Sequence, residues 1–256
     1  MTKKLIIILA HQDDEFCIFN RISHHKNKKD IFIFYMTSGM NKNLQKNKKN
    51  YRDIESINVL KKFGINEKNI FFIGRKLSIN SNKLYRSMEL AFKELFLNIN
   101  KINGKKIIFT HALEGGHEDH DACNYLAKVV YLKLKSVCAA YQFPAYHGKN
   151  LPYIFYKVFS PINENGKILK KNFRFLDRFK FIYFLFFYKS QLKVWLGLYP
   201  FIIIKFLFAK TDMLQKLEKK ITVRRPHKGM LLYEKRGFCK YSKFRRNILS
   251  FLSNVI

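Results

Sequence analysis

The sequence contains few acidic residues and few cysteines. It has 18 Asp and Glu against 49 Lys and Arg in 256 residues, which gives a net charge of +31. Its four cysteines are widely spaced and form no C-x-x-C pair, which argues against a zinc ribbon and against a disulfide framework. We therefore expect reduced thiols and a cytoplasmic location.

Long hydrophobic runs are also absent. In the aromatic-rich segment 173–210 the longest uncharged runs, Phe181–Tyr188 and Val194–Ile204, have eight and eleven residues, whereas a membrane-spanning helix needs about 20. The apolar run at the start, Leu5–Ala10, stops at His11 and no cleavage-type sequence follows it. This run predicts a strand and not a signal peptide.

The basic excess is concentrated in the second half of the chain. Residues 126–256 hold 27 basic and five acidic side chains, a net charge of +22. A field of this sign favours an anionic partner such as phospholipid, nucleic acid or a phosphorylated substrate. Lys, Asn, Ile and Phe are all abundant, as in proteins from AT-rich genomes, and that bias accounts for part of the charge.

What the sequence does contain is an alternation of strand and helix patterns. Apolar runs predict buried strands at Leu5–Ala10, Ile31–Met36, Ile70–Ile73 and Lys106–Thr110. Between and after them, helices are predicted over 52–63, 82–98 and about 121–135. The alternation predicts a Rossmann-like α/β fold, with a mainly parallel sheet and helices on both faces. Ligands bind such sheets at the carboxyl ends of the strands.

The second half is less regular, and we expect it to complete the same domain. Residues 1–150 form the predicted core, and 151–256 a variable, basic, aromatic-rich helical region, in which 152–160 has the composition of a strand. Segment 173–210 has two interpretations: a buried helical pair that caps the sheet, or an interfacial element whose lysines reach a membrane surface. The Lys/Asn-rich stretch 41–50 predicts a surface loop.

Two clusters of histidines and carboxylates follow predicted strands. The first is A-H-Q-D-D-E at 10–15, and the second is H-A-L-E-G-G-H-E-D-H-D at 111–121. Two imidazoles and a carboxylate form the three-ligand catalytic site that zinc or ferrous iron prefers. Acidic residues at a helix N-terminus offer a simpler explanation for either cluster alone. Two clusters at the same predicted edge favour a metal site.

These motifs resemble those of the PIG-L/LmbE-like N-acetylglucosaminyl deacetylases, which are of the types A-H-P-D-D-E and G-H-x-D-H. The resemblance covers about residues 3–135. Other segments that resemble the family are Thr37–Gly39, Tyr51–Glu55, Phe63–Ile65 and Ile70–Gly74. Gln12 and Glu118 replace prolines of the usual motifs, which removes backbone stiffness from both loops.

The resemblance implies roles for six residues. The implied ligands of a zinc ion, with Fe²⁺ as a second candidate, are His11, Asp14 and His120. Asp13 is implied as general base. His117 is implied as the group that stabilises the oxyanion, as a protonated imidazole, and Arg52 as a substrate contact.

The implied activity is removal of the acetyl group from an N-acetylglucosamine-type sugar, with release of acetate, in glycan or surface-polysaccharide biosynthesis. The basic, aromatic second half favours a substrate that carries phosphate or lipid, and peripheral contact with the inner face of an anionic membrane; no nucleic-acid partner is expected. Two alternatives stay open. One is a ferrous oxygenase that uses His11, Asp13 and a distant histidine, although such sites usually lie in a β jelly roll. The other is a non-catalytic basic protein that binds membrane or nucleic acid, which leaves both clusters unexplained.

Residues near the motifs have weaker signals. Glu15 either orients a metal ligand or favours the start of a helix. A structural role is expected for His111, and no ligand role for His147 or His227. The basic group Arg224, Arg225 and Lys228 is expected to be a solvated surface.

Overall fold

A seven-stranded sheet organises the chain, in a computed structural model that describes residues 3–40, 51–192 and 196–256. The strand order is β3-β2-β1-β4-β5-β9-β8, in which the first five strands are parallel and β9 and β8 are antiparallel. These strands are β1 Lys4–Leu9, β2 Ile31–Tyr35, β3 Ile70–Phe72, β4 Lys106–His111, β5 Val137–Phe143, β8 Ile168–Asn172 and β9 Thr211–Lys216. A separate two-stranded ladder pairs β6, Tyr146–His147, with β7, Lys157–Val158. The predicted loop at 41–50 lies outside the described residues.

Alternate side chains of β1 enter two separate hydrophobic layers, as the two-residue period of a strand requires. Ile6 and Ile8 pack into one layer, and Leu5, Ile7 and Leu9 into the other. Helices cover both faces, which confirms the predicted Rossmann-like α/β architecture with its helical C-terminal region.

The helices divide between these layers. Those that contribute side chains to the layer of Ile6 are α4 Met88–Asn100, α5 Glu118–Lys133 and α9 Tyr241–Val255. Those on the other face are α1 Phe19–His24, α2 Tyr51–Lys62, α6 Phe175–Leu185 and α7 Tyr199–Phe208. Two short helices, α3 Ile73–Lys76 and α8 Leu232–Lys235, connect strands and loops.

Two predicted helices begin at other residues than expected. The helix predicted from about 121 starts at Glu118, because the His117 side chain accepts a hydrogen bond from the backbone N–H of Asp119 and caps it. The helix predicted over 82–98 starts at Met88. Residues before it form a 3₁₀ turn, Leu84–Arg86, because backbone N–H groups of this segment bond to a side chain of α5.

The strand predicted over 152–160 is wrong for most of its length. Only Lys157–Val158 is extended, since Tyr153 and Phe159 adopt positive φ angles of 44° and 51°. Strands β5, β8 and β9 were not predicted, and β9 pairs with β5, so part of region 151–256 extends the sheet of the core.

Helices α6 and α7 form an antiparallel hairpin between β8 and β9. Arg178 of α6 donates to the carbonyl of Leu207, and the Tyr199 hydroxyl donates to the carbonyl of Leu185. Their inner side chains are buried against the sheet, while many outer ones are exposed. Among the described residues, no helix combines the length and apolar character needed to cross a bilayer.

Candidate metal centre and active-site cleft

The first cluster occupies the loop directly after β1. The backbone N–H of His11 donates to Oδ2 of Asp14 at 2.6 Å, which folds the loop back on itself. Asp13, between them, has φ 108°, a conformation that costs free energy in a non-glycine residue and that concentrates at functional sites. A 3₁₀ turn, Asp14–Ile18, follows.

The second cluster occupies the loop between β4 and α5, and β4 lies beside β1 in the sheet. Asp121 shapes this loop, because its Oδ1 accepts from the backbone N–H groups of Glu114 and Gly115. Gly116 is required here, since a Cβ at this position would lie 1.9 Å from the carbonyl oxygen of Tyr146. The loop therefore places the first residues of α5 beside the carboxyl end of β1.

His11, Asp14 and His120 come together as the resemblance implies. Their donor atoms all lie within 4.8 Å of one another, and all three residues are buried. Nε2 of His120 lies 3.2 Å from Oδ1 of Asp14, and Nδ1 of His11 lies 3.4 Å from Oδ2. Neither ring nitrogen of His120 has a hydrogen-bond partner among the described residues. A buried imidazole without a partner beside a carboxylate and a second imidazole suits a divalent metal.

Asp119 supports this set from behind, and sequence reasoning assigned it no role. Its Oδ2 lies 3.0 Å from Nε2 of His11, and its two oxygens also accept from the backbone N–H groups of Asn82 and Leu84. A carboxylate that fixes the ring of a metal-binding histidine is a common arrangement. His11, His117 and Asp119 form a second group of close donors. Both oxygens of Asp119 accept backbone hydrogen bonds, whereas only Oδ2 of Asp14 does, which favours the set with Asp14.

Burial and charge act in opposite directions on these groups. Burial alone would lower the pKa of His11, but the hydrogen bonds with Asp119 and Asp14 outweigh it and raise the pKa to about 10. Burial would raise the pKa of Asp14, yet the neighbouring histidines hold it well below its usual range. The carboxylate is therefore ionised, as a metal ligand must be.

His117 lies beside the metal set and lines the cleft. Burial, followed by the charge of His11, holds its pKa well below the ordinary value, which favours the neutral ring over the imidazolium that the resemblance implies. Its Nδ1 accepts from the backbone N–H of Asp119 at 3.1 Å. The proton of the neutral ring is therefore on Nε2, which remains available as a donor.

Asp13 and Arg52 form an ion pair in the same cleft, with 3.1 Å between Nη2 and Oδ1. The guanidinium also donates to the carbonyls of Gln12 and Gly39. Arg52 thus contacts Asp13, the predicted base, and also lines the cleft in which a substrate would bind.

Glu15 contacts the backbone of Asp13 and belongs to neither group of close donors. Its Oε2 accepts from the backbone N–H of Asp13 at 3.0 Å, and its Oε1 accepts from the hydroxyl of Tyr188 at 2.8 Å. Burial raises the pKa of Glu15 to about 7. Of the two roles considered for this residue, these contacts favour the orienting one. The group that Glu15 orients is the backbone of Asp13, and not a ligand of the metal set.

Side chains replace the stiffness that the missing prolines would supply. The side-chain amide of Gln12 donates to Asp53 Oδ1 at 2.7 Å and joins the loop after β1 to α2. Glu118 is the first residue of α5, a position where proline is favoured because its N–H needs no helical partner. Glutamate at this position leaves the helix start intact.

A cleft of about 390 Å³ opens over these groups, and part of its lining comes from distant parts of the chain. That part includes Tyr146, Leu198, Arg236 and Phe238, of which Tyr146 lies with its ring 5.5 Å from that of His120. The Arg236 guanidinium lies over the rings of Tyr146 and Tyr156, at 5.9 and 5.4 Å from their centroids. Among the described residues it forms no ion pair. The only sequence signal for Arg236 is the general basic excess.

The other histidines and arginines considered in the sequence analysis contact protein groups. His111 is completely buried and stacks on His120 with 3.8 Å between ring centroids. His147 bonds to the carbonyl of Ser160, outside the cleft lining. Arg224 donates to the carbonyl of Glu164, and Arg225 pairs with Glu234.

Comparisons with known proteins identify the family that the two motifs resemble. A family model described as PIG-L, GlcNAc-PI de-N-acetylase, matches residues 6–131. No curated protein gives a significant match.

Similar solved structures include three of a deacetylase from the teicoplanin biosynthesis pathway. They are its complex with bog (14% identity, TM-score 0.57), its zinc-inhibited form (13%, 0.60) and its complex with teicoplanin (12%, 0.59). Each alignment covers 84% of this chain and 97% of the other. At these identities the likeness shows a shared fold.

Proposed function

We propose that this chain, which matches the PIG-L family model of GlcNAc-PI de-N-acetylase over residues 6–131, is a zinc-dependent hydrolase that removes the acetyl group from an N-acetylglucosamine-type sugar and releases acetate. The observation that carries this proposal is the convergence of His11, Asp14 and His120 beside Asp13 in one cleft. The zinc-inhibited form of a similar deacetylase is compatible with a divalent metal, of which Fe²⁺ is the second candidate.

A divalent metal held by these three residues supplies Lewis acidity toward an amide carbonyl and toward water. Asp13 accepts the proton of the attacking water and returns it to the leaving nitrogen, so that the C–N bond breaks and acetate and a free amine result. The ion pair with Arg52 and the bond from its own N–H to Glu15 hold Asp13 in its position for this transfer.

His117 stabilises the negative charge that develops on the acyl oxygen. Its neutral ring donates from Nε2, and the backbone N–H at its Nδ1 keeps the ring in that tautomer. A donor fixed in this way before the reaction is typically worth about 3–4 kcal/mol of the barrier. Arg52 completes the set as a substrate contact.

The cleft has the size and charge for a sugar with an anionic substituent. Its volume of about 390 Å³ is within the range of small-molecule sites. Arg236, which has no ion pair among the described residues, lines the same cleft as the metal set and suits a phosphate. We place the substrate among phosphate- or lipid-carrying amino sugars of glycan or surface-polysaccharide biosynthesis, and the enzyme in the cytoplasm at the inner face of the membrane.

The two alternatives are less well supported. A ferrous site of His11, Asp13 and a histidine requires Asp13 as a ligand, but it is Asp14 that belongs to the close donor set. The parallel sheet also differs from a β jelly roll. The hypothesis of a non-catalytic basic protein does not explain why His120 is buried with no hydrogen-bond partner for either ring nitrogen among the described residues.

Metal content and acetate release test the proposal together. We expect about one zinc per chain by mass spectrometry, lost in His120→Ala and kept in Asp13→Asn. Acetate release from a panel of N-acetylglucosamine compounds should fall by about 10²–10⁴ in Asp13→Asn. His24→Ala, at a partly exposed histidine outside the cleft, is the matched control. A protein that binds no zinc after reconstitution, or that releases acetate equally well as Asp13→Asn, contradicts it.

A further inference from the structure

Helix α6 carries an exposed apolar face beside its buried one. The side chains of Phe175, Leu176, Phe179 and Tyr183, and of Phe186 at its C-terminal end, recur at helical spacing, and each is more than half exposed. Leu176 reaches 78%. Monomeric proteins rarely leave such a continuous apolar patch in water, so the face calls for a covering surface.

Helix α7 and a neighbouring loop extend this patch. Phe201, Ile204 and Phe208 of α7 are also more than half exposed, as are all three residues of the loop Tyr153–Phe155. The loop continues into Tyr156, whose ring lies 5.8 Å from that of Phe201. The apolar side chains therefore come from three adjoining elements.

The segment that carries the two helices is basic. Segment 173–210 contains seven Lys and Arg and one acidic residue, a net charge of +6. Lys180 and Lys205 lie along the two helices, within one or two residues of exposed aromatic or aliphatic side chains. Aromatic and aliphatic groups with flanking lysines are typical of helices that lie in the interface of an anionic bilayer.

The patch reaches the mouth of the catalytic cleft. Tyr156 contacts Phe201 on one side and the Arg236 guanidinium on the other, and Arg236 lines the cleft. Leu198 and Gln191, which also line the cleft, lie in the connection between α6 and α7. A molecule with its sugar over the metal set can thus keep an apolar chain at the patch.

We propose that the α6–α7 patch docks on a bilayer that contains anionic phospholipid, and that the cleft takes its amino sugar from a lipid-linked substrate at that surface. The second clause rests on the proposed function, whereas docking itself does not. A second copy of the chain is the competing occupant, but a two-fold contact would bring two surfaces of charge +6 together.

Vesicle flotation tests the docking. The zinc-loaded protein is mixed with vesicles of phosphatidylcholine alone or of equimolar phosphatidylcholine and phosphatidylglycerol. We expect binding to the anionic vesicles, with a partition coefficient lowered about tenfold or more in the double variant L176Q/F208Q. The double variant L90Q/L97Q removes two leucines of α4 that are each just over half exposed, and it should bind like the native chain.

The outcomes separate docking from catalysis. Equal binding to neutral and anionic vesicles, no binding, or equal loss in both double variants overturns the docking. A dimer in sedimentation that L176Q/F208Q dissociates, without vesicle binding, assigns the patch to a second copy and also overturns it. Acetate release from a short soluble N-acetylglucosamine compound should stay unchanged in L176Q/F208Q. If the native chain releases no acetate from any such compound, the hydrolase proposal fails, whatever the vesicles show.

Discussion

Nε2 of His11 lies 3.0 Å from Oδ2 of Asp119, and this contact leaves Nδ1 of the ring to face Asp14. Asp119→Asn replaces the accepting oxygens with an amide that also carries donors, so the ring loses its fixed orientation. We expect zinc affinity to fall about 10–100-fold, measured by competition with a chelator. Asp177→Asn, at a carboxylate far along the chain in α6, should leave the affinity unchanged. Equal affinity in both variants contradicts the supporting role of Asp119.

Tyr188 acts on the base through Glu15. Tyr188→Phe removes the hydroxyl that donates to Oε1 of Glu15 and leaves the buried carboxyl group with one partner fewer, which costs about 1 kcal/mol. Because Glu15 holds the N–H of Asp13, kcat for acetate release should fall several-fold while KM and zinc content stay the same. Tyr183→Phe changes an exposed tyrosine of α6, five residues before Tyr188, and serves as control. A change in KM alone would assign Tyr188 to substrate binding.

Gly116 sets the distance between the second motif and Tyr146. In Gly116→Ala the new Cβ would meet the Tyr146 carbonyl oxygen at 1.9 Å, so one of the two loops must move. The free energy of unfolding should fall by about 1–3 kcal/mol, and acetate release should fall more steeply because His117 follows directly. In Gly197→Ala the nearest atom is at 3.4 Å, and both quantities should hardly change. Urea unfolding and initial rates compare the two variants.

Arg21 of α1 joins the first half of the chain to β9, the neighbour of the edge strand β8. Its guanidinium donates to both oxygens of Asp212 in β9, at 2.8 and 3.0 Å. Burial raises the pKa of Asp212 against the opposing charge of Arg21, and Arg21→Met raises it further. The ionised carboxylate then lacks its partner, so the variant should lose about 2–3 kcal/mol at neutral pH.

The sign of the pH dependence follows from the raised pKa. Protonated Asp212 needs no cation, so the loss in Arg21→Met should shrink as the pH falls through the pKa of the carboxyl group. Urea unfolding at neutral pH and in mild acid measures this. Lys61→Met breaks an exposed pair with Glu67 and should change stability by less than about 1 kcal/mol at either pH. A loss that grows in acid contradicts the assignment.

Sequence reasoning succeeded where one local pattern determines the structure. Strands β1 and β4 were predicted from apolar runs, and the ends of these two strands located both motif loops. Strands β5 and β9 were missed because polar side chains interrupt them. Gln142 and Gln215 are buried there and bond to backbone carbonyls, which only the folded chain brings within reach.

The site shows the same division. The residues implied by the two motifs lie together, since each motif is short and follows its own strand. Tyr146 and Arg236 line the same cleft from 26 and 116 residues beyond His120 in sequence. The support from Glu15 depends on Tyr188, 173 residues further along. Contacts of this kind depend on tertiary packing, which leaves no periodic signal in one sequence.

Strands β8 and β9 are paired up to Asn172 and Thr211, so the whole α6–α7 excursion starts and ends at neighbouring positions. A connection of another length or composition can join the same two residues without shifting the register of either strand. Only its inner side chains are bound to the layer beneath, through contacts such as Phe181 with Phe19. The hairpin can therefore change in length or outer side chains while the sheet and the metal set stay the same. Relatives with other hairpins would then bind other surfaces with an unchanged metal set.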